Sequence, residues 1–232
     1  DLDESDVDEL LQEIVVGAGD VYFEARGVVA TGNADENIKI SDFLETVEFD
    51  QNGEEIDGSD EVYGGTGDII LALSGVVADG SAEGRGARFE ELGEGDVLGY
   101  IRDSSFSNNA EDDGLRIDEE DEGSIDIELT SVYATDNDGQ GLQVTENGDG
   151  DVLARIADST FRDNDNTQVE LEESDDGAHF VTITESTLIG DGEESLDVIE
   201  EDDGDSVVTI NGGTVDPAPV ASEDPVTFII TP

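Results

Sequence analysis

The chain has 232 residues, of which 64 are acidic and 8 basic, for a formal net charge of -56 at pH 7. That charge disfavours nucleic acid and anionic membrane as partners, since both repel it. The absence of cysteine excludes disulfides and thiolate metal sites, and no apolar run approaches the ~20 residues needed to cross a bilayer.

A charge of this size ordinarily signals disorder. Leu, Ile, Val and Phe nevertheless make up roughly 27% of the chain, above the ~20% below which a chain lacks the means to fold. The acids are therefore expected to coat a packed core. With one lysine (Lys39) and seven arginines, the composition resembles that of proteins from extreme halophiles, typically archaeal. The Debye length is roughly 10 Å at 0.1 M salt and roughly 3 Å at 1 M, so such a surface is quenched only in brine, and low salt is expected to expand or unfold the chain. The sequence holds no methionine and begins DLDESD, which points to a processed export product or an excised fragment.

In chain order, residues 1–18 come first. Ser5 and Asp8 form a capping-box pattern, and Val7, Leu10, Leu11 and Ile14 share one helical face, which predicts an amphipathic cap. From residue 19 the chain repeats. Gly19, Gly67, Gly95, Gly123, Gly150, Gly177 and Gly204 serve as anchors, spaced 48, 28, 28, 27, 27 and 27 apart. Two, four and six residues after each anchor fall side chains such as Ile69, Leu71, Leu73 and Ile125, Ile127, Leu129, the alternation of a strand with one buried face. A second buried position is expected at Val29, Val77, Phe106, Tyr133, Phe161, Leu188 and Val215, introduced in four coils by Ser-x. Three residues beyond it stand Gly32, Gly80, Asn109, Asp136, Asn164 and Asp191, residue types that adopt the left-handed conformation and so predict a corner. A third apolar pair runs from Ile38 and Ile40 through Leu115 and Ile117 to Leu196 and Val198, with Val226 and Phe228 closing the series.

The long first interval places an insertion at 41–66, and TVEFDQNGEEID within it predicts a hairpin with an Asn-Gly turn. It is either a binding excursion or merely a tolerated one. After residue 215 the prolines at 217, 219, 225 and 232 predict an end to strand pairing, so 216–232 is expected to be a terminal segment with a last strand at most.

Three buried segments per ~27 residues with no helical period predict an all-β, right-handed parallel β-helix of about seven coils over 19–215. At ~4.8 Å per coil it would be roughly 34 Å long. A β-sandwich is the alternative, but it has no reason to repeat every third strand in register. The phrases S-x-F-x-x-N and G-[LIV], as in Ser104, Phe106, Asn109, Gly114 and Leu115, resemble the right-handed parallel β-helix repeat family of pectate-lyase-like and NosD-like proteins. That resemblance implies a fold rather than an activity, for the family holds lyases, hydrolases, adhesins and viral fibres.

No catalytic residue is assigned from the sequence. Polysaccharide enzymes of the resembling family use paired carboxylates, basic residues and often calcium. Arg88 and Arg116 occupy equivalent outward positions, with Glu90 and Asp118 at the next ones, as either a sugar- or acid-binding cluster or a cross-rung charge ladder. His179, the only histidine, lies at an inward position and is expected to be a packing residue. Asp136 and Asp138, and Asp149 and Asp151, offer hard oxygen ligands for structural Ca²⁺ or monovalent cations, although no cofactor is required.

The outward residues of the first strand are the exception to the acidity. They include three acids and three bases, and their first column, Tyr22, Ile70, Leu98, Leu153, Phe180 and Val207, is apolar apart from Asp126. With Tyr100, Arg102 and Arg155 beside it, this face is expected to pack against a second copy, the 41–66 insertion, or another surface protein or glycan. The function expected is that of a non-enzymatic, salt-adapted structural or adhesive module, extracellular or at the cell surface, with the cytoplasm of a salt-accumulating cell as the other location. A polysaccharide-active or sugar-binding β-helix and a viral fibre or tailspike segment are the alternatives.

Overall fold

A strand that buries alternate residues has one dry face, and stacking such strands in parallel builds a continuous core without helices. The computed structural model describes residues 13–15, 19–46, 61–190, 194–201, 204–223 and 226–232. It is an all-β parallel solenoid of about six turns, with no helix among the described residues.

Strands are numbered in chain order. Sheet A stacks β1 (Glu13–Val15), β3 (Ile38–Thr46), β6 (Ala87–Glu91), β8 (Leu115–Glu119), β10 (Leu142–Glu146), β13 (Val169–Glu173), β16 (Asp197–Glu200) and β19 (Val220–Glu223). Sheet B stacks β2 (Val21–Arg26), β5 (Ile69–Ser74), β7 (Val97–Ser105), β9 (Ile125–Thr135), β11 (Val152–Ala157), β14 (His179–Thr184), β17 (Val207–Asn211) and β20 (Thr227–Thr231). The short strands β12 (Thr160–Arg162), β15 (Thr187–Ile189) and β18 (Thr214–Asp216) stack on the C-terminal part of β9. Val21 pairs with Ile69, Ile69 with Val97, Val97 with Ile125, Ile125 with Val152 and Val152 with His179. The seven anchor glycines thus mark seven rungs, with six turns between them.

The anchors are glycine because of how closely the coils approach there. A Cβ on Gly95, Gly123, Gly150, Gly177 or Gly204 would fall on the carbonyl oxygen of the preceding anchor. No side chain fits in that column.

The second buried column differs from its expected position. A left-handed corner at Gly27, Gly75, Asp103, Ser131, Asp158, Glu185 and Gly212 resets the alternation after each sheet B strand. The next inward residue is then Ala78, Phe106, Ala134, Phe161 or Leu188, all buried. Val29 and Tyr133, expected inside, are 69% and 51% exposed, and Val77, expected inside as well, is only half-buried, because in each of these coils the corner turns the following alanine inward instead. Small Ala78 and Ala134 flank Phe106 in the stack, and the pairing of Phe161 with Ala134 fixes the column.

The following corner also moves by one residue in two coils. Positive φ is found at Gly32, Gly80, Asn108, Asp136 and Asp163, not at Asn109 or Asn164. Those two asparagines turn inward with Asn137 to form a buried amide ladder. Asn109 Nδ2 donates to Asn137 Oδ1 and Asn137 Nδ2 to Asn164 Oδ1, each at 2.9 Å, and Asn164 Nδ2 donates to Gln168 Oε1 at 2.8 Å. The recurrent serines form a second ladder: Ser104, Ser159 and Ser186 accept the backbone N–H of Val76, Val132 and Ser159 from the preceding coil, each at 3.1 Å.

At the N-terminal end, Ile14 lies in β1, paired in parallel opposite Ile40, rather than on a helix. A strand satisfies the exposed ladder groups of β3, which a helix does not. Val7, Leu10 and Leu11 lie outside the described residues. At the other end pairing continues past the first prolines: β19 completes sheet A, and β20 returns to sheet B with Phe228 opposite Val208. Val226 and Phe228 therefore begin a further sheet B rung instead of closing the sheet A series. Pro217 and Pro219 sit in the β18–β19 connection, where they remove no ladder donor. In the insertion, β3 runs on to Thr46 and returns antiparallel as β4 (Glu61–Gly64), with Thr46 opposite Glu61. The Asn-Gly turn lies outside the described residues.

Candidate interaction face

The outer face of sheet B carries the apolar column. Tyr22 is 72% and Phe180 47% exposed, while Ile70, Leu98 and Leu153 between them and Val207 one coil beyond are half-buried. The parallel register places each directly over the next coil's equivalent: Tyr22 opposite Ile70, Ile70 opposite Leu98, Leu153 opposite Phe180 and Phe180 opposite Val207. Ile229 of β20, opposite Thr209, extends the uncharged surface by one rung.

The charges on this face cancel in pairs. Arg26 bonds Glu24 at 2.6 Å, Arg102 bonds Glu128 at 3.0 Å, and Arg155 bonds Asp126 at 2.7 Å. The last pair neutralises the one acid that interrupts the apolar column. Arg102 also lies over the ring of Tyr100, its guanidinium carbon 4.4 Å from the centroid, a cation–π contact. Beside Arg155 and Glu128 the face has a shallow depression of about 460 Å³, bordered by Thr130 and Thr182.

On the outer face of sheet A, the β6–β8 register sets Arg88 opposite Arg116 and Glu90 opposite Asp118. The four side chains meet. Arg88 Nε donates to Asp118 Oδ2 at 3.1 Å and Arg116 Nε to Asp118 Oδ1 at 2.7 Å, and Arg88 also bonds Glu90. Asp118 is fully buried beneath the two guanidiniums. The basic groups are thereby engaged by the protein's own carboxylates, the bonding pattern of a charge ladder between coils.

The two aspartate pairs lie apart. Asp136 and Asp138 precede β10, Asp149 and Asp151 follow it, and among the described residues no three acidic or histidine side chains converge on a point that suits a metal ion.

One group of residues was not singled out from the sequence. Glu91, Glu119, Glu146, Glu173 and Glu200 end successive sheet A strands, Asp42 of β3 stands in register with Glu91, and all six are fully buried. Four of these glutamates accept the backbone N–H of the anchor four residues on: Gly95 to Glu91 at 3.3 Å, Gly123 to Glu119 at 3.2 Å, Gly150 to Glu146 at 3.3 Å and Gly177 to Glu173 at 2.9 Å. The sequence signal is a Glu four residues before each of five anchor glycines, masked by the abundance of acids elsewhere. Burial, with neighbouring carboxyls adding to it, pushes Glu91 and Glu173 up to about 8 and Glu146 up to about 10. Burial alone raises Asp42, and it raises Glu119 against the opposing effect of hydrogen bonds from Glu146 and from the turn. At Glu200 burial acts in the same direction, but hydrogen bonds from His179 and Ser206 outweigh it and hold the group below its ordinary value. His179 is buried, its Nδ1 3.2 Å from Glu200.

No helix among the described residues is long and apolar enough to cross a membrane. In comparisons with protein-family models, curated proteins and solved structures, the chain matches none of them.

Proposed function

We propose that the chain is a non-enzymatic, salt-adapted structural or adhesive module, working outside the cell or at its surface, and that it associates with a second copy of itself through the outer face of sheet B. The observation that carries this reading is the pairing of every charge on the β2–β17 face, beside an apolar column that stays open to solvent at Tyr22 and Phe180. On a body of charge -56, two copies repel wherever they present unpaired acids. Where the acids are already paired, apposition removes apolar surface from water at little electrostatic cost. The geometry of the arginines supports a non-enzymatic role, since Arg88 and Arg116 would have to release Asp118 before either could meet an anionic sugar.

The test is the molecular mass in molar salt, by light scattering, of the parent chain and of Leu98→Asp combined with Phe180→Asp. Association in the parent and its loss in the variant, with an unchanged circular-dichroism spectrum, is the expected result. A parent that is monomeric at every concentration would sink the self-association, and degradation of acidic polysaccharides would sink the non-enzymatic role.

A further inference from the structure

We propose that the carboxyl column inside the solenoid is a proton-binding site, in which at least three of its glutamic acids stay protonated at neutral pH and bond to their neighbours along the solenoid axis. The column is more than an accumulation of acids. In each of Glu91, Glu119, Glu146 and Glu173 one oxygen lies toward the turn as an acceptor of backbone N–H, while the other, Glu91 Oε1, Glu119 Oε2, Glu146 Oε2 and Glu173 Oε2, is buried with no hydrogen-bond partner. Carboxylates only accept, so two ionised neighbours stacked at the ~4.8 Å spacing of strands leave both orphan oxygens unsatisfied and repelling. A single proton turns that pair into a donor and an acceptor. Buried polar groups are rarely left without partners, and this is the change that satisfies them.

Among the described residues nothing else performs that task. From sheet A the column meets its own members, Asp42 through Glu200. From the turns it meets the N–H groups of Gly93, Gly95, Asp121, Gly123, Gly150 and Gly177, and the further negative charge of Asp175. From sheet B it meets His179 and, just before β17, Ser206, both bonded to Glu200. Among the described residues no Arg or Lys forms an ion pair with any member of the column; Arg88 and Arg116 lie on the opposite face of the same strands. The column therefore has an ionised end at Glu200, held by His179, and a protonated stretch leading away from it. Burial raises the affinity of Glu91, Glu146 and Glu173 for protons in the same sense.

The experiment is carbon-13 NMR of the full chain labelled at the glutamate carboxyl and held in molar salt, with the pH raised from 7. At least three carboxyl carbons are expected at the protonated shift at pH 7, moving to the ionised shift only as the solution becomes alkaline. Glu146→Gln, whose amide donates where the acid did, is expected to fold and to lack one of these signals. If that variant does not fold, the count in the parent decides. A spectrum with every glutamate ionised at pH 7 would overturn the proposal. So would binding of calcium at constant ionic strength with no release of protons, which would make the column an ionised cation site.

Discussion

Raising the pH from 6 to 8 at constant molar salt should weaken this protein steeply, and the steepness counts protons. Glu91 and Glu173 titrate near 8 and Glu146 near 10 in the folded chain, against an ordinary value of 4.5 when unfolded. A folded pKa above the unfolded one means that the native state holds protons the unfolded chain has already released. Their stabilisation is complete below about 4.5 and is lost as the pH climbs through 8 and, for Glu146, 10. One such proton lowers the unfolding free energy by about 1.4 kcal/mol per pH unit, and three lower it by about 4 kcal/mol per unit. Against a typical domain stability of about 5–15 kcal/mol, that slope is easily resolved. The assay is denaturant unfolding followed by circular dichroism at closely spaced pH values, with Glu146→Gln expected to reduce the slope by about 1.4 kcal/mol per unit. A stability that is flat or rises across this range would refute the reasoning, because ionised buried carboxylates give no such dependence.

Two further outcomes follow from the stacking. Asn137→Ala removes an amide that donates to Asn164 and to the carbonyl of Phe106 and accepts from Asn109, so a loss of about 2–4 kcal/mol is expected by chemical denaturation, with Ser81 and Gln168 unable to bridge the gap. Gly150→Ala puts a Cβ onto the carbonyl of Gly123, and forcing those coils apart is expected to cost about 3 kcal/mol or more. An alanine at Gly150 that unfolds at the same denaturant concentration as the parent would show that the anchor column tolerates a side chain.

The period, the anchors and the sheet B alternation were legible because they depend on a count of two and on the exclusion of side chains, which any sequence records directly. Ile69, Leu71, Leu73 and their equivalents needed no structure to be placed inside. The second column is displaced at Val29, Val77 and Tyr133 because the left-handed corner is occupied by residues as unlike as Gly75, Ser131 and Glu185, and so leaves no compositional trace. Asn109 and Asn164 suit a corner and a ladder equally well, and only their pairing with Asn137 separates the two roles. Glu91, Glu119, Glu146, Glu173 and Glu200 escaped notice for a different reason. With 64 acids in the chain, a buried glutamate has no distinguishing neighbourhood in one dimension; its distinction is the coil above and the coil below.

The amide ladder has a mechanical consequence. Its links run from Asn37 and Ser81 through Asn109, Asn137 and Asn164 to Gln168, so it reaches into the first coil and stops short of the C-terminal ones. Under tension along the axis, or under slow heating, the C-terminal coils beyond Gln168 part without breaking an amide link, whereas the coils before it must break these side-chain bonds as well as their backbone ladders. Such a rod peels first from its C-terminal end, and amide exchange would record this as deeper protection around β8 to β13 than at β17 to β20.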